Sequence, residues 1–467
     1  MLIVLLVLFI LTINAFTFVS MMHGQQAAGG ARYRKTAAFY LAEAALARAV
    51  WLLENSAEPG GVGGVGWRPT DHREVYRVGA LDGEVRIRIA DENDGHLALT
   101  GQGEVASTVR EIRMVARLTP GALRYPLFSR GAVWLDGEAR TYLVPLQPGA
   151  RPCERPGGHL AAGGEIWVRD QRVRLNALES IALDLTSGTV RDHELFGFPA
   201  APHPADPAFV DAIGSLTLLD GAPVHVRDGR KRVTDPSSLS SFVPGTYVRS
   251  FRTGDRIDLP AVDFEHYRAL AARNRENAAL HKALGWEGKE GSVYTAGEIG
   301  RILDHLNDPY ARVTALRGVV YMVGNLTLAS GQRLAIDNGA LIVDGSLVLQ
   351  SKARLQVRQG DTAGRPPGAE RLPGVVTRGG GVILIGPNAK FATEGLVFAS
   401  GTFDVHRDAF VDIAGSLLAA GPGVGFRNGG GTVVIRYDPA VMRTAGIRLA
   451  DGARGVAVAP ISWQEVR

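Results

Sequence analysis

Cysteine is almost absent from this sequence, and so is charge from the stretch where it would matter most. A single Cys153 among 467 residues excludes an internal disulfide, so packing and hydrogen bonds must hold the fold. It sits in ARPCERPGG with Arg151 and Arg155 as its only obvious charged neighbours, and no catalytic role is expected of it. The 51 basic and 47 acidic residues nearly cancel to a net charge of +4, so neither nucleic acid nor an acidic partner is implied. The strings of common catalytic classes are missing as well: H-E-x-x-H, the Walker loop, G-x-S-x-G and C-x-x-C. G-x-G-x-x-G occurs once, at Gly61, Gly63 and Gly66, but it follows a helical pattern where a dinucleotide site needs a strand. Asp337, Asp344 and Asp361 lack the Asp-x-Asp-x-Asp-Gly loop of a firm Ca²⁺ site. We expect no cofactor, no metal and no enzymatic activity.

The first 22 residues, MLIVLLVLFILTINAFTFVSMM, carry no charged side chain. As a helix they would span about 33 Å, enough for a bilayer core. Leu2, Leu5, Leu8, Phe9, Leu11, Phe16 and Val19 are the expected membrane anchor. The run exceeds an ordinary signal-peptide core, lacks a basic start and has no small-x-small cleavage site behind it. Gly24, Gly29 and Gly30 then make a joint that weakens a helix without forbidding one. Beyond it, TAAFYLAEAALARAVWLLEN resumes in strong helix formers. Tyr40, Ala44, Ala47 and Trp51 fall at i, i+4, i+7 and i+11 and form one stripe, with Glu43 beside it. Packing of that stripe on the chain's own domain is one account of it; contact with other helices is the other.

With those residues named, 1–55 resembles the N-terminus of PilX-type minor pilins of type IV pili, in which an apolar membrane helix leads into a Tyr-x-Ala-Glu-Ala-x-Leu-x-x-Ala helix. Tyr40, Ala42, Glu43, Ala44, Leu46 and Ala49 stand in that pattern. The resemblance implies a structural protein that primes or caps a type IV pilus or related secretion pseudopilus. Its partners would be other pilins or pseudopilins, the inner-membrane assembly platform and the membrane, with a surface or polysaccharide as candidate ligand and no nucleic acid. It implies a single pass through the bacterial inner membrane, with the large domain exported to the pilus or cell surface. It also implies a basic leader upstream of the apolar run and a glutamate early in it, neither of which stands here. Arg32, Arg34 and Lys35, read by the positive-inside rule alone, would leave the large domain cytoplasmic. We expect export, with a leader upstream or already removed.

The remainder reads as mainly β. A Gly-rich linker at 56–70 leads to 71–120, where Val85, Ile87 and Ile89 alternate with Glu84, Arg86 and Arg88. Ile112, Met114, Ala116 and Leu118 alternate likewise, so a small antiparallel sheet should offer one apolar face to the stalk helix. Residues 71–467 are expected to form a soluble body without the stalk. From 121 to 467, Gly followed by a small polar residue and strand recurs at Gly324, Gly345, Gly401 and Gly415. The first two are 21 residues apart, roughly one coil of a β-solenoid, the expected architecture over a jelly roll. Gly131 and Gly164 suggest that the stack begins before residue 170, a Pro- and Gly-rich loop interrupts it at 359–381, and a helical insertion does so at about 263–308.

Two other readings remain open from the residues. Asp404, His406, Asp408 and Asp412 could share one face of a coil, as in a membrane-anchored β-helix enzyme that cleaves polysaccharide. The basic cluster after the apolar run would suit a cytoplasmic scaffold of the bactofilin kind.

Overall fold

The computed structural model describes residues 2–55, 62–78, 81–92, 96–145, 159–175, 215–226, 231–243, 248, 250–254, 256–360, 370–449 and 456–466. Cys153, Asp361 and much of the linker and of the 359–381 loop lie outside these. The side chains of the seven anchor residues do too, although their backbone is helical. The chain forms two compact units, residues 1–118 with 458–467 and residues 119–457.

In the first unit one helix, α1 (Leu2–Glu54), runs unbroken through the glycine joint. Gly29 and Gly30 would have open space around a Cβ, so they cost helix propensity of about 1 kcal/mol each and allow no close packing in return. The strands β1 (His72–Val78), β2 (Leu81–Asp91), β3 (His96–Val105) and β4 (Thr108–Pro120) pair in order and antiparallel, and Val456–Glu465 adds a fifth strand beside β4. The expected boundary left that last strand with the solenoid. Its sequence is too short and too mixed to show which sheet it joins; the free edge of β4 decides.

Period-two alternation holds as the apolar pattern requires. Val85, Ile87, Ile89, Leu99, Ile112 and Ala116 are buried, and Glu84, Arg86 and Glu104 pair with one another on the other face. Ala38, Leu41, Ala42, Ala45, Leu46, Ala49 and Leu53 of α1 cover the apolar face in one continuous core. A chain cut at residue 71 would expose that face, which corrects the expectation that the β body needs nothing from the stalk.

The second unit is a parallel β-solenoid whose coils are not stacked in chain order. Its main sheet runs Ser250–Gly254, Ser215–Leu219, Leu160–Ala162, Leu127–Ser129, Phe410–Ala419, Lys390–Ala399, Arg354–Val357, Arg333–Asp344, Leu316–Val323, Val293–Tyr294. The chain therefore starts in the middle of the stack, winds to one end, crosses over, and winds from the other end back to the middle. There Leu127 pairs in parallel with Leu417, Trp134 with Arg427 and Arg140 with Thr432. Thr119 donates to the carbonyl of Ala457 at 3.1 Å, so the unit's first and last residues lie side by side. That is the geometry required of a domain inserted between β4 and its neighbouring strand.

Inside the coils, one apolar row runs Leu326, Leu347, Ile383, Phe403, Phe426, Val133, Ile166, Val224 across successive strands. Phe403 and Phe426 stack at 6.1 Å. Helices close both ends of the row, as an open-ended stack requires. Leu239 of Pro236–Phe242 joins the core, as do Ile299, Ile302, Leu303 and Leu306 of Ala296–Leu306.

The glycine repeat divides into two columns. At one corner a Cβ on Gly345 would lie 2.9 Å from the carbonyl carbon of Gly324, one on Gly381 2.0 Å from the oxygen of Gly345, and one on Gly401 2.3 Å from that of Gly380. Gly415 is not in that column. It lies within a strand, and a Cβ there would come 1.9 Å from the oxygen of Gly395. Its distance from Gly401, 14 residues against the 21 between Gly324 and Gly345, is therefore a spacing between columns and not a coil.

Candidate interaction face of the N-terminal helix

Two Ala-rich stripes run down the lower half of α1, and the small sheet takes one. Ala38, Ala42, Ala45 and Ala49 are buried against it, while Tyr40, Glu43, Ala44, Ala47 and Trp51 are exposed, Tyr40 by 62% and Trp51 by 46%. The choice is set by the strand opposite. A Cβ on Gly103 would lie 2.1 Å from the oxygen of Ala38, and one on Gly101 2.5 Å from that of Ala42, so β3 lets the helix backbone approach as no other residue type would. In LALTGQGEV these two glycines, spaced for one face of a strand, are the sequence signal for the close approach.

A helix apolar on one face and charged on the other is complete within its own domain, whereas one apolar on both faces has surface left over. Here the second face combines small residues with two aromatic side chains. The Arg48 guanidinium lies 4.6 Å from the Trp51 ring centroid and its Nε donates to Glu74 at 3.2 Å, which holds the indole against the helix. Phe39 packs edge-on to Tyr40 and to Trp463 of the last strand. Glu43 has no hydrogen-bond or ion-pair partner among the described residues.

The four residues considered for glycosidic chemistry do not converge. Asp404 lies on the strand Phe403–Val405 opposite Arg427, and His406 and Asp408 are exposed in the turn that follows. Asp408 is left-handed at φ 58°, so strand parity does not carry through. Asp412 lies on another strand, fully buried, 2.7 Å from the equally buried Arg436. An acid that must reach a glycosidic oxygen cannot work from there. No cluster of His, Cys, Asp and Glu among the described residues could hold a metal ion.

Glu394, half-buried, adds a second carboxylate whose charge reaches Arg436. It accepts from the backbone N–H of Gln359 at 2.7 Å, and burial pushes its carboxyl above the usual range despite Arg358, Arg436 and Arg371 nearby. A raised acid binds its proton more tightly folded than unfolded, so its contribution is present below the unfolded value of about 4.3 and is lost as pH rises through the folded one. Glu394→Gln should therefore become more stable relative to the natural chain as pH rises from about 4 to about 7. Chemical denaturation at several pH values would measure the difference, and a flat one would exclude the burial.

No protein-family model and no curated protein sequence matches this chain. Among solved structures, the crystal structure of the competence-associated pilin ComZ from Thermus thermophilus is similar over 92% of this chain and 97% of that one, at 13% identity and a TM-score of 0.25.

Proposed function

We propose that the chain is a pilin-like structural subunit of a type IV pilus or related secretion pseudopilus. Residues 1–22 would anchor it in the inner membrane, the exposed stripe of α1 would meet other pilins, and the solenoid would be displayed outward. The observation that carries this reading is the second apolar face, Tyr40, Ala44, Ala47 and Trp51, left uncovered on a helix whose first face is already full. By length and composition residues 28–54 could also cross a bilayer, but half of an 18-residue window of that stretch is buried in its own unit, so the bilayer falls to the residues before it. The small side chains of Ala44 and Ala47 would let the backbone of a second helix approach closely between the two aromatic residues. Glu43 then takes its counter-charge from a neighbouring helix.

The test is Ala44→Trp and Glu43→Ala in the native host. Both positions are exposed, so each should leave the protein level unchanged and the unfolding free energy within about 0.5 kcal/mol of the natural chain. Filament count should fall several-fold. Unchanged filaments in both variants would remove the helix from assembly.

A further inference from the structure

We propose that Arg32, Arg34 and Lys35 form a collar on α1 that binds the headgroups of anionic phospholipid, on the side of the bilayer that faces the small sheet. The inference rests on the reading of residues 1–22 as a membrane anchor and needs nothing from the filament role. It holds for either orientation of the chain, because collar and sheet lie on the same side in both.

Charge is unevenly divided along α1. Residues 1–31 contain no Asp, Glu, Lys or Arg, three bases then fall within four residues, and the first acid of the chain is Glu43. Lys35 stands eight residues from it, about 12 Å along the axis, and no carboxylate occupies the i+3 or i+4 position that would pair within the helix. All three bases are exposed, and none has a hydrogen-bond or ion-pair partner among the described residues. The small sheet treats its arginines otherwise: Arg68 lies 2.8 Å from Asp91, Arg73 2.6 Å from Asp71 and Arg86 2.8 Å from Glu84.

Position along the helix points to the occupant. Because α1 is unbroken from Leu2 to Glu54, axial distances follow from residue counts at about 1.5 Å each. The uncharged stretch 1–31 is about 46 Å long, against about 40–45 Å for a bilayer with both headgroup layers. An anchored helix therefore meets the phosphates with its first bases, and carrying them deeper would put charge in hydrocarbon. Ala37 is the first residue of α1 to be buried, among those whose burial is described, so the collar occupies the interval between lipid and sheet. Tyr33, 52% exposed, stands within it, and its apolar ring with a polar hydroxyl suits that depth.

Direction favours lipid over a protein partner. Successive residues of a helix turn by about 100°, so the side chains of 32–35 leave the axis on nearly every side. A neighbouring helix approaches from one side and could pair with one or two of the bases. A leaflet surrounds the helix and offers phosphate to all three, with a gain of about fivefold in association for each.

The experiment reconstitutes the purified full chain in vesicles of equal parts phosphatidylglycerol and phosphatidylcholine, extracts it with mild detergent and measures the ratio of the two lipids retained. Phosphatidylglycerol should be retained about fivefold or more over phosphatidylcholine at low salt, and the preference should shrink as salt is raised. Arg32→Gln, Arg34→Gln and Lys35→Gln together should bring the ratio to about one, and each alone should lower it in part. Arg88→Gln, an exposed base on the outer face of β2, should leave it unchanged. Equal retention of both lipids by the natural chain, a triple variant as selective as the natural chain, an equal loss in Arg88→Gln, or complete loss on one collar change would overturn the proposal, the last pointing to a one-sided site. Release of the natural chain from the vesicles by alkaline carbonate would overturn the anchor reading with it, whereas a chain that resists carbonate but retains both lipids equally would overturn the collar alone.

Discussion

Asp412→Ala is expected to destabilise the solenoid by about 3–5 kcal/mol, the usual cost of leaving a buried charge without its partner. Arg436 and Asp412 are both fully buried and 2.7 Å apart. Burial lowers the pKa of Arg436, and the attraction of Asp412, with that of Glu394 behind it, works the other way. Removing the aspartate takes away the carboxylate 2.7 Å from the guanidinium, and Glu394 lies one strand further along the ladder. The turn Pro439–Arg443, which packs on the strands bearing Glu394 and Asp412, should open first, since Asp438 caps it and also holds Arg371 at 2.6 Å. Replacing both partners, with Asp412→Leu and Arg436→Met, should cost far less than either single change, because no charge is then stranded. Hydrogen exchange at residues 410–437 measures both. A single variant within about 1 kcal/mol of the natural chain would show that water reaches the pair.

What the sequence disclosed follows from which signals are local. The alternation of Val85, Ile87 and Ile89 and the 21-residue step from Gly324 to Gly345 each lie within one hairpin or one coil. A mainly β chain with an apolar helix at its start, a small antiparallel sheet and large parallel sheets was legible for that reason. Which Ala stripe of α1 faces the sheet was not, since Tyr40, Ala44, Ala47, Trp51 and Ala38, Ala42, Ala45, Ala49 are both apolar at helical spacing. Only the glycines of a strand some 60 residues on distinguish them. The order of coils was less accessible still: the pairing of Leu127 with Leu417 leaves no trace near either residue.

Gly103→Val should be the most damaging change in the small sheet. An added Cβ would stand 2.1 Å from the oxygen of Ala38 and 2.6 Å from the nitrogen of Ala42, both backbone atoms of α1. Backbone cannot rotate away as a side chain can, so the helix must lift from β3 along its length and the contacts of Leu41, Leu46 and Leu53 loosen together. Overpacking in a filled core costs about 1–3 kcal/mol and sometimes more, and here a rigid helix spreads the displacement, so the upper end or beyond is expected. The obstacle predicts an order. Gly103→Ala should cost most, and Gly101→Ala, 2.5 Å from the Ala42 oxygen, nearly as much. Gly83→Ala should cost least, because its nearest atom is the mobile Cδ1 of Leu41 at 2.4 Å. Leu41→Ala should relieve Gly83→Ala and do nothing for Gly103→Ala. Gln102→Val, on the opposite face of the strand, should stay within about 0.5 kcal/mol of the natural chain. Proteolysis within residues 37–54 under native conditions reads the series, and equal resistance of Gly103→Ala and Gly83→Ala would mean that the helix does not sit on β3 at this distance.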